Sequence, residues 1–470
     1  MIGEEILYQS VTELGQQIRE KKLSPVDLTK AYLERSEKLG PRLNAYATLT
    51  RDLALKQAGE AEKEIDAGKY RGPLHGIPYA AKDLLAVPGY PTTWGAKPFA
   101  NQKFDFAARV IEKLNEAGAI LIGKAAMIEL AGGMGYRFAS ASATGPAKNP
   151  WNTGCWTCGS SSGSGAIVAG ALAAFAIGTE TWGSIICPSA FCGIAGLRPT
   201  FGRVSRYGAM ALSYSMDKIG PMARSAEDCE IILQAISGYD RRDKGSLPNE
   251  QAQFAKTTTG NSRPLRLGVV KKPFGDFNPG ADVKRQFDEA VAVMRRAGAT
   301  VAEVELPEGP FETAAGVIIS VEGAAAFREL IESGRISEIN DPLGKVGAYV
   351  STTIPGDDFL RAMQIRSVFQ LKADDLFGNF DVITSPSLPM GASTLDTNLE
   401  TGLSFPDPVG GLGNLCGLPA ISVPCGFTDQ KLPIGIQFVG RVLEDEKVLR
   451  AAKLFQQNTQ WHKKHPPLGA

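Results

Sequence analysis

The stretch from Cys158 to Pro199 limits what the rest of this chain can build. It opens on Cys158-Gly-Ser-Ser-Ser-Gly-Ser-Gly165, passes through a block of alanines, and reaches a second Gly-Ser pair at Gly183-Ser184. Glycine permits backbone conformations closed to other residues, and clustered serines bring several hydroxyls toward one point. Together they suit a site where backbone N–H groups face a substrate. The apolar run Gly165 to Gly178 is too short to span a bilayer and reads as a buried helix.

Composition excludes several classes. A chain of 470 residues with 43% hydrophobic and 21% charged residues is globular and can bury a large core. Lys plus Arg and Asp plus Glu each number 50, so no net charge draws nucleic acid or an anionic membrane. The acidic start, Met1-Ile-Gly-Glu-Glu5, lacks the basic and apolar regions of a secretory signal, and a cytoplasmic location is expected. Seven scattered cysteines argue against a disulfide framework. Cys155-x-x-Cys158 looks like half a zinc site but has no second pair and no nearby histidine, so no metal is expected. The only histidines are His75, His462 and His465, which leaves little room for a histidine base.

Along the chain, Val11, Leu14 and Ile18 recur at helical spacing. Ser24-Pro25-Val26-Asp27 starts a second helix, and a third is expected over about 51–67. Gly76 to Asp83 reads as a short buried strand with Lys82 at its end. Asp105 is placed as the cap of a helix ended by Gly118, and Ala119 to Gly123 as a buried strand. A similar helix, glycine and strand recur at Val283, Gly298 and Val301 to Leu306. Further helices are expected over Glu312 to Ser333, Asp357 to Phe377 and Glu444 to Gln457. Strands are expected at Leu265 to Val270, Phe380 to Ser385, Ile421 to Pro424 and around Ile434 to Phe438. Interleaved helices and strands imply an α/β fold with one large mixed sheet covered on both faces by helices. The chain reads as a single domain over 1–470. It has a helical region over about 1–70, a core over about 71–235, a polar surface loop over about 238–264 and a C-terminal half over about 265–470.

With these elements placed, Lys82, Ser160 and Ser184 stand out, and the chain resembles the amidase signature family. The family's serine-glycine signature falls on Cys158 to Ile186, with Ser160 and Ser184 at its spacing of 24 residues. Gly76 to Asp83, Asn149-Pro150-Trp151, Gly196 to Thr200, Gly220 to Ser225, Gly417-Leu418-Pro419 and Pro433-Ile434-Gly435 also match family landmarks, so the resemblance covers nearly the whole chain. It implies a Ser–cis-Ser–Lys triad: Ser184 as nucleophile, Ser160 as proton relay behind a cis peptide, and a neutral Lys82 as base. It implies an oxyanion hole from the backbone N–H groups of Thr181, Trp182, Gly183 and Ser184, and neither metal nor cofactor. Lys124 and Asp83 read as structural. Glu180, Trp182, Ile186, Cys158 and Ser162 depart from the family pattern. A glycine-only dihedral at Trp182 would be strained.

The activity expected is that of a serine hydrolase cleaving uncharged amides, anilides or carbamates, with small-molecule substrates and no membrane or nucleic-acid partner. A homodimer is among the assemblies left open. One alternative is a glutamine-dependent amidotransferase A-type subunit working with partner subunits. Asp407, seven residues before Asn414, matches the residue that such a subunit uses on glutamine, but no basic pair precedes Ala348-Tyr349. A second alternative is a degenerate amidase-like scaffold. A third is an α/β-hydrolase that reads Gly159 to Gly163 as G-x-S-x-G with His462 or His465 as base.

Overall fold

Local signals set the first elements much as their spacing predicts. The computed structural model describes residues 2–254 and 263–468. Val11, Leu14 and Ile18 line the buried face of the helix Val11–Arg19, which Ser10 and Glu13 close with a reciprocal capping box. Ser24 caps the helix Pro25–Leu43 by accepting from Asp27 N at 3.1 Å, and Pro25 sits where no N–H is needed.

Among the described residues the strands are β1 (Tyr46–Leu49), β2 (Pro78–Lys82), β3 (Ile120–Ala125), β4 (Lys148–Asn149), β5 (Asn152–Trp156), β6 (Phe175–Glu180), β7 (Ala195–Arg198), β8 (Lys218–Ala223), β9 (Arg266–Val270), β10 (Thr300–Val304), β11 (Val382–Pro386), β12 (Ala420–Phe427) and β13 (Pro433–Gly440). Eleven of them form one mixed sheet, flanked by helices, in the order β1-β3-β2-β6-β8-β7-β12-β13-β11-β9-β10, while β4 and β5 pair separately. The sheet is parallel where β2 joins β3 and β6, and again where β9 joins β10 and β11. Between those blocks, β6, β8, β7, β12, β13 and β11 run antiparallel to their neighbours. Every residue of β2, β6, β8 and β13 is buried, which explains why their sequences are mostly small and apolar, broken by Lys82, Thr179, Glu180, Lys218 and Gln437.

Three expectations need correction. The run Gly165 to Gly178 is not one helix: the helix Ser162–Ala169 ends at Gly170, and Phe175 to Glu180 form β6 in the sheet. Small side chains suit a strand covered on both faces as well as they suit a helix, and Phe175 stacks on Tyr79 of β2 at 5.2 Å. Asp105 does not cap the next helix, which begins at Arg109 with Ala108 before it. The polar segment after Gly238 is not simply a solvated loop, because Asp243 and Asp240 are buried and pair with Arg206 at 2.7 Å and Arg242 at 3.0 Å. The 255–262 part of that segment lies outside the described residues. No helix among the described residues is long and apolar enough to cross a membrane.

Candidate active site

Lys82 ends β2, and Thr179 stands on the parallel neighbour β6, so both side chains reach the same edge of the sheet. Lys82 is fully buried, and its Nζ lies 2.7 Å from Ser160 Oγ, 3.0 Å from Ser161 Oγ and 2.9 Å from Thr179 Oγ1. Ser161 Oγ donates to Thr179 O at 3.1 Å, so toward Lys82 it can only accept. An uncharged amine has two N–H bonds and one lone pair. With the N–H bonds on Ser161 and Thr179, the lone pair is left for the Ser160 hydroxyl. Burial pulls the Lys82 pKa down to about 7, against the raising pull of Asp217 and Glu180.

The two serine turns are joined. The Gly159–Ser160 peptide is cis, as the resemblance implies, and Ser161 N donates to Ser184 O at 3.3 Å. Ser184 sits between β6 and the helix Ile186–Cys192 and is buried. Glu180, at the end of β6, holds that turn from below. Its Oε2 accepts from Ile185 N at 2.8 Å and Ile186 N at 3.0 Å, and its Oε1 accepts from Arg198 at 2.6 Å. Burial pushes the Glu180 carboxyl up, but Arg198, Lys218 and the Ile186 N–H outweigh it and hold the pKa at about 2. Lys218 donates to Thr181 O at 3.2 Å and Asn414 Oδ1 at 2.7 Å, and Thr181 Oγ1 donates to Asp217 at 2.5 Å. The left-handed residue of the turn is Gly183, with φ +80°, not Trp182, so the expected strain at the tryptophan is absent. Among the described residues, the N–H groups of Trp182, Gly183 and Ser184 donate to no protein acceptor.

Other sequence-predicted residues fall where their chemistry places them. Lys124 and Asp83 form a fully buried ion pair at 2.8 Å, and Asp83 also accepts from Thr93 N at 3.1 Å. His75 accepts from Arg71 N at 3.1 Å and faces Glu64, while His465 stacks on Tyr8 at 4.3 Å. Among the described residues no histidine contacts Ser160 or Ser184, which removes the basis of the α/β-hydrolase reading. Cys158 and Cys187 form a disulfide, against the expectation from the odd cysteine count, and Cys158 is thereby withdrawn from any zinc site. Spacing gave no signal for this pair, because the two cysteines meet only once both serine turns are folded together.

Two features were not foreseen. Thr179 and Asp217 border Lys82 and the turn, and with Leu84, Met210 and Leu212 they line a largely apolar cavity that reaches Thr181. The Trp182 indole leaves the turn and donates to Asp407 Oδ2 at 2.9 Å.

Comparison with known proteins gives a consistent picture. Residues 27–449 match the family described as Amidase. The chain is 36% identical to the A subunit of the glutamyl-tRNA(Gln) amidotransferase of Geobacter metallireducens, over 97% of this chain and 99% of that one. Among solved structures, it is similar to the native peptide amidase of Stenotrophomonas maltophilia, with a TM-score of 0.83 at 30% identity over 96% of this chain and 97% of that one. It is also similar to the A subunit of the glutamyl-tRNA(Gln) amidotransferase of Thermotoga maritima, with a TM-score of 0.80 at 27% identity over 99% of this chain and 98% of that one.

Proposed function

The chain belongs to the amidase family, and on that premise we propose that it cleaves an amide C–N bond through an acyl-enzyme on Ser184. The observation that carries the reading is the fully buried Lys82 amine, 2.7 Å from Ser160 Oγ. It supplies a base where no histidine is at hand.

The proton path follows from that contact. Ser184 Oγ passes its proton to Ser160 Oγ as the Ser160 proton moves to Lys82 Nζ. The Ser184 oxygen bonds to the carbonyl carbon, and the carbonyl oxygen becomes an anion. The unpaired N–H groups of Trp182, Gly183 and Ser184, with that of Thr181, receive this charge. Glu180 keeps them aimed by tying down the two N–H groups that follow. When the oxyanion collapses, the C–N bond breaks, and the leaving nitrogen takes a proton from Ser160 that Lys82 resupplies. Water then repeats the sequence on the ester and frees the acid.

Two finer readings of the substrate each rest on their own observation. Similarity to amidotransferase A subunits over nearly the full length of both chains favours a glutamine-dependent subunit that works with partners, and of the two it has the stronger support from sequence. The hydrogen bond from Trp182 to Asp407 favours an uncharged amide, anilide or carbamate.

The test is intact-protein mass spectrometry after treatment with a serine-directed phosphonofluoridate, beside Ser184→Ala. A single adduct on Ser184, lost in the variant together with amide hydrolysis, is expected. A wild-type protein that stays unmodified, or is modified elsewhere, would overturn the reading. Co-purified subunits with glutamine-dependent ammonia release would decide for the amidotransferase.

A further inference from the structure

Trp182 contributes its backbone to the turn that carries Ser184, but its side chain works elsewhere. The indole N–H donates to Asp407 Oδ2 at 2.9 Å. The other carboxylate oxygen accepts from Gly410 N at 3.0 Å, at the start of the helix Pro408–Leu415. Asp407 N in turn donates to Glu312 Oε1 at 2.9 Å. The ring runs close to the Gly411 backbone: its Cζ2 atom lies 3.2 Å from where a Cβ on Gly411 would stand, so a side chain there would crowd it. It packs on an apolar cluster that includes Ile186, Phe311 and Leu412. A half-buried carboxylate therefore lies one side chain away from the nucleophile's turn, with an indole between them.

We infer that Trp182 is a specificity-determining residue. By covering Asp407 it makes the wall beside Ser184 apolar, and it selects amides whose acyl part is uncharged. A partly desolvated carboxylate whose donor is removed gains most from a cation that replaces it. With the indole gone, the group best able to satisfy Asp407 is the ammonium of an amino-acyl amide. This rests on the reading of Ser184 as nucleophile.

The test compares hexanamide with 6-aminohexanamide, and adds L-glutamine, at pH 8. Hydrolysis is measured as kcat/KM for the wild type, Trp182→Ala, Trp182→Phe and Trp182→Ala/Asp407→Asn. The wild type is expected to prefer hexanamide. In Trp182→Ala the ratio should shift toward 6-aminohexanamide by about tenfold or more, the size of a newly formed desolvated charge pair. The double variant should lose that shift. Trp182→Phe, which keeps the bulk and drops the N–H, should stay closer to the wild type than Trp182→Ala does. A wild type that prefers glutamine or 6-aminohexanamide overturns the inference. So does an unchanged ratio in Trp182→Ala, or a shift that survives Asp407→Asn. Phosphonofluoridate labelling of Ser184 in each protein keeps the two failures apart. Absent labelling in the wild type sinks the nucleophile assignment, whereas intact labelling with an unmoved ratio sinks only the role of Trp182. If Trp182→Ala fails to fold, Trp182→Leu, which drops the N–H and is smaller than the indole, carries the decision with and without Asp407→Asn: a shift toward the aminoamide that needs Asp407 supports the inference, and its absence overturns it.

Discussion

At the scale of single residues, the proposed mechanism asks one amine to lose its proton near neutrality. Burial pulls the Lys82 pKa down to about 7. A base must be deprotonated to act, so kcat/KM should rise with pH through about 7 and level off above it. Asp217 is the largest charge opposing that shift, since a nearby anion favours the protonated amine. Asp217→Asn should therefore move the acid limb to lower pH, read as a pH profile of kcat/KM. A limb that stays in place, or moves up, would show that the Asp217 charge does not hold the Lys82 pKa up. Lys82, Ser160 and Ser184 stood out as candidates because a motif fixes their spacing, and the fold brings Lys82 to 2.7 Å from Ser160. Thr179 and Asp217 were not. Nothing in the run Phe175 to Glu180 announces that it pairs beside β2, and only that pairing brings Thr179 Oγ1 to 2.9 Å from Lys82. The departures at Glu180 and Ile186 also become intelligible only in three dimensions. Glu180 spans two backbone N–H groups and Arg198, and Ile186 joins the apolar cluster around Met216 and Leu412.

At the scale of elements, the decisive objects are the two turns that carry the serines. One enters the helix Ser162–Ala169 and the other enters the helix Ile186–Cys192. The Cys158–Cys187 disulfide joins them across 29 residues of sequence. Cys158 takes a left-handed φ of +63°, a conformation that costs a non-glycine residue about 1–2 kcal/mol. Closing a loop of this length restricts the unfolded chain by about 3–4 kcal/mol in chain-entropy terms. Reduction with dithiothreitol should thus lower the melting temperature by a few degrees and lower the rate of Ser184 acylation, because both turns lose a shared anchor. Cys158→Ser/Cys187→Ser should match the reduced wild type and no longer respond to the reductant. A double variant as stable and as active as the oxidised protein would show the link to be incidental. Element types were legible where a period or a cap spoke clearly, as in the helix Pro25–Leu43 with Ser24 and Pro25. They were illegible where alanine and glycine dominate, since those residues serve a buried helix and a buried strand alike. The helix Pro342–Ser351 went unread, although Asp341-Pro342 is an N-cap followed by a proline at the first helical position, and Asp341 accepts from Leu343 N at 2.9 Å.

At the scale of the molecule, the question is whether the segments read from the sequence behave as one unit. Strands from both sides of the polar segment at 238–264 lie in one sheet, and the seam falls where β7 pairs with β12. Each of β7, β12 and β13 is buried over nearly its whole length, so separating the halves would expose unpaired backbone along the centre of the sheet. The site crosses the same seam. Arg198 of β7 donates to Leu418 O at 3.0 Å just before β12, Lys218 of β8 reaches Asn414, and Trp182 reaches Asp407. Opening either half would break these contacts around the turn that holds Ser184. We therefore expect one cooperative thermal transition, with circular dichroism, tryptophan fluorescence and Ser184 labelling lost together. Two resolved transitions, with labelling lost in the first while most of the secondary structure persists, would overturn the single-domain reading. They would place the boundary at the β7–β12 pairing, because that is the seam across which the two parts of the chain share the sheet.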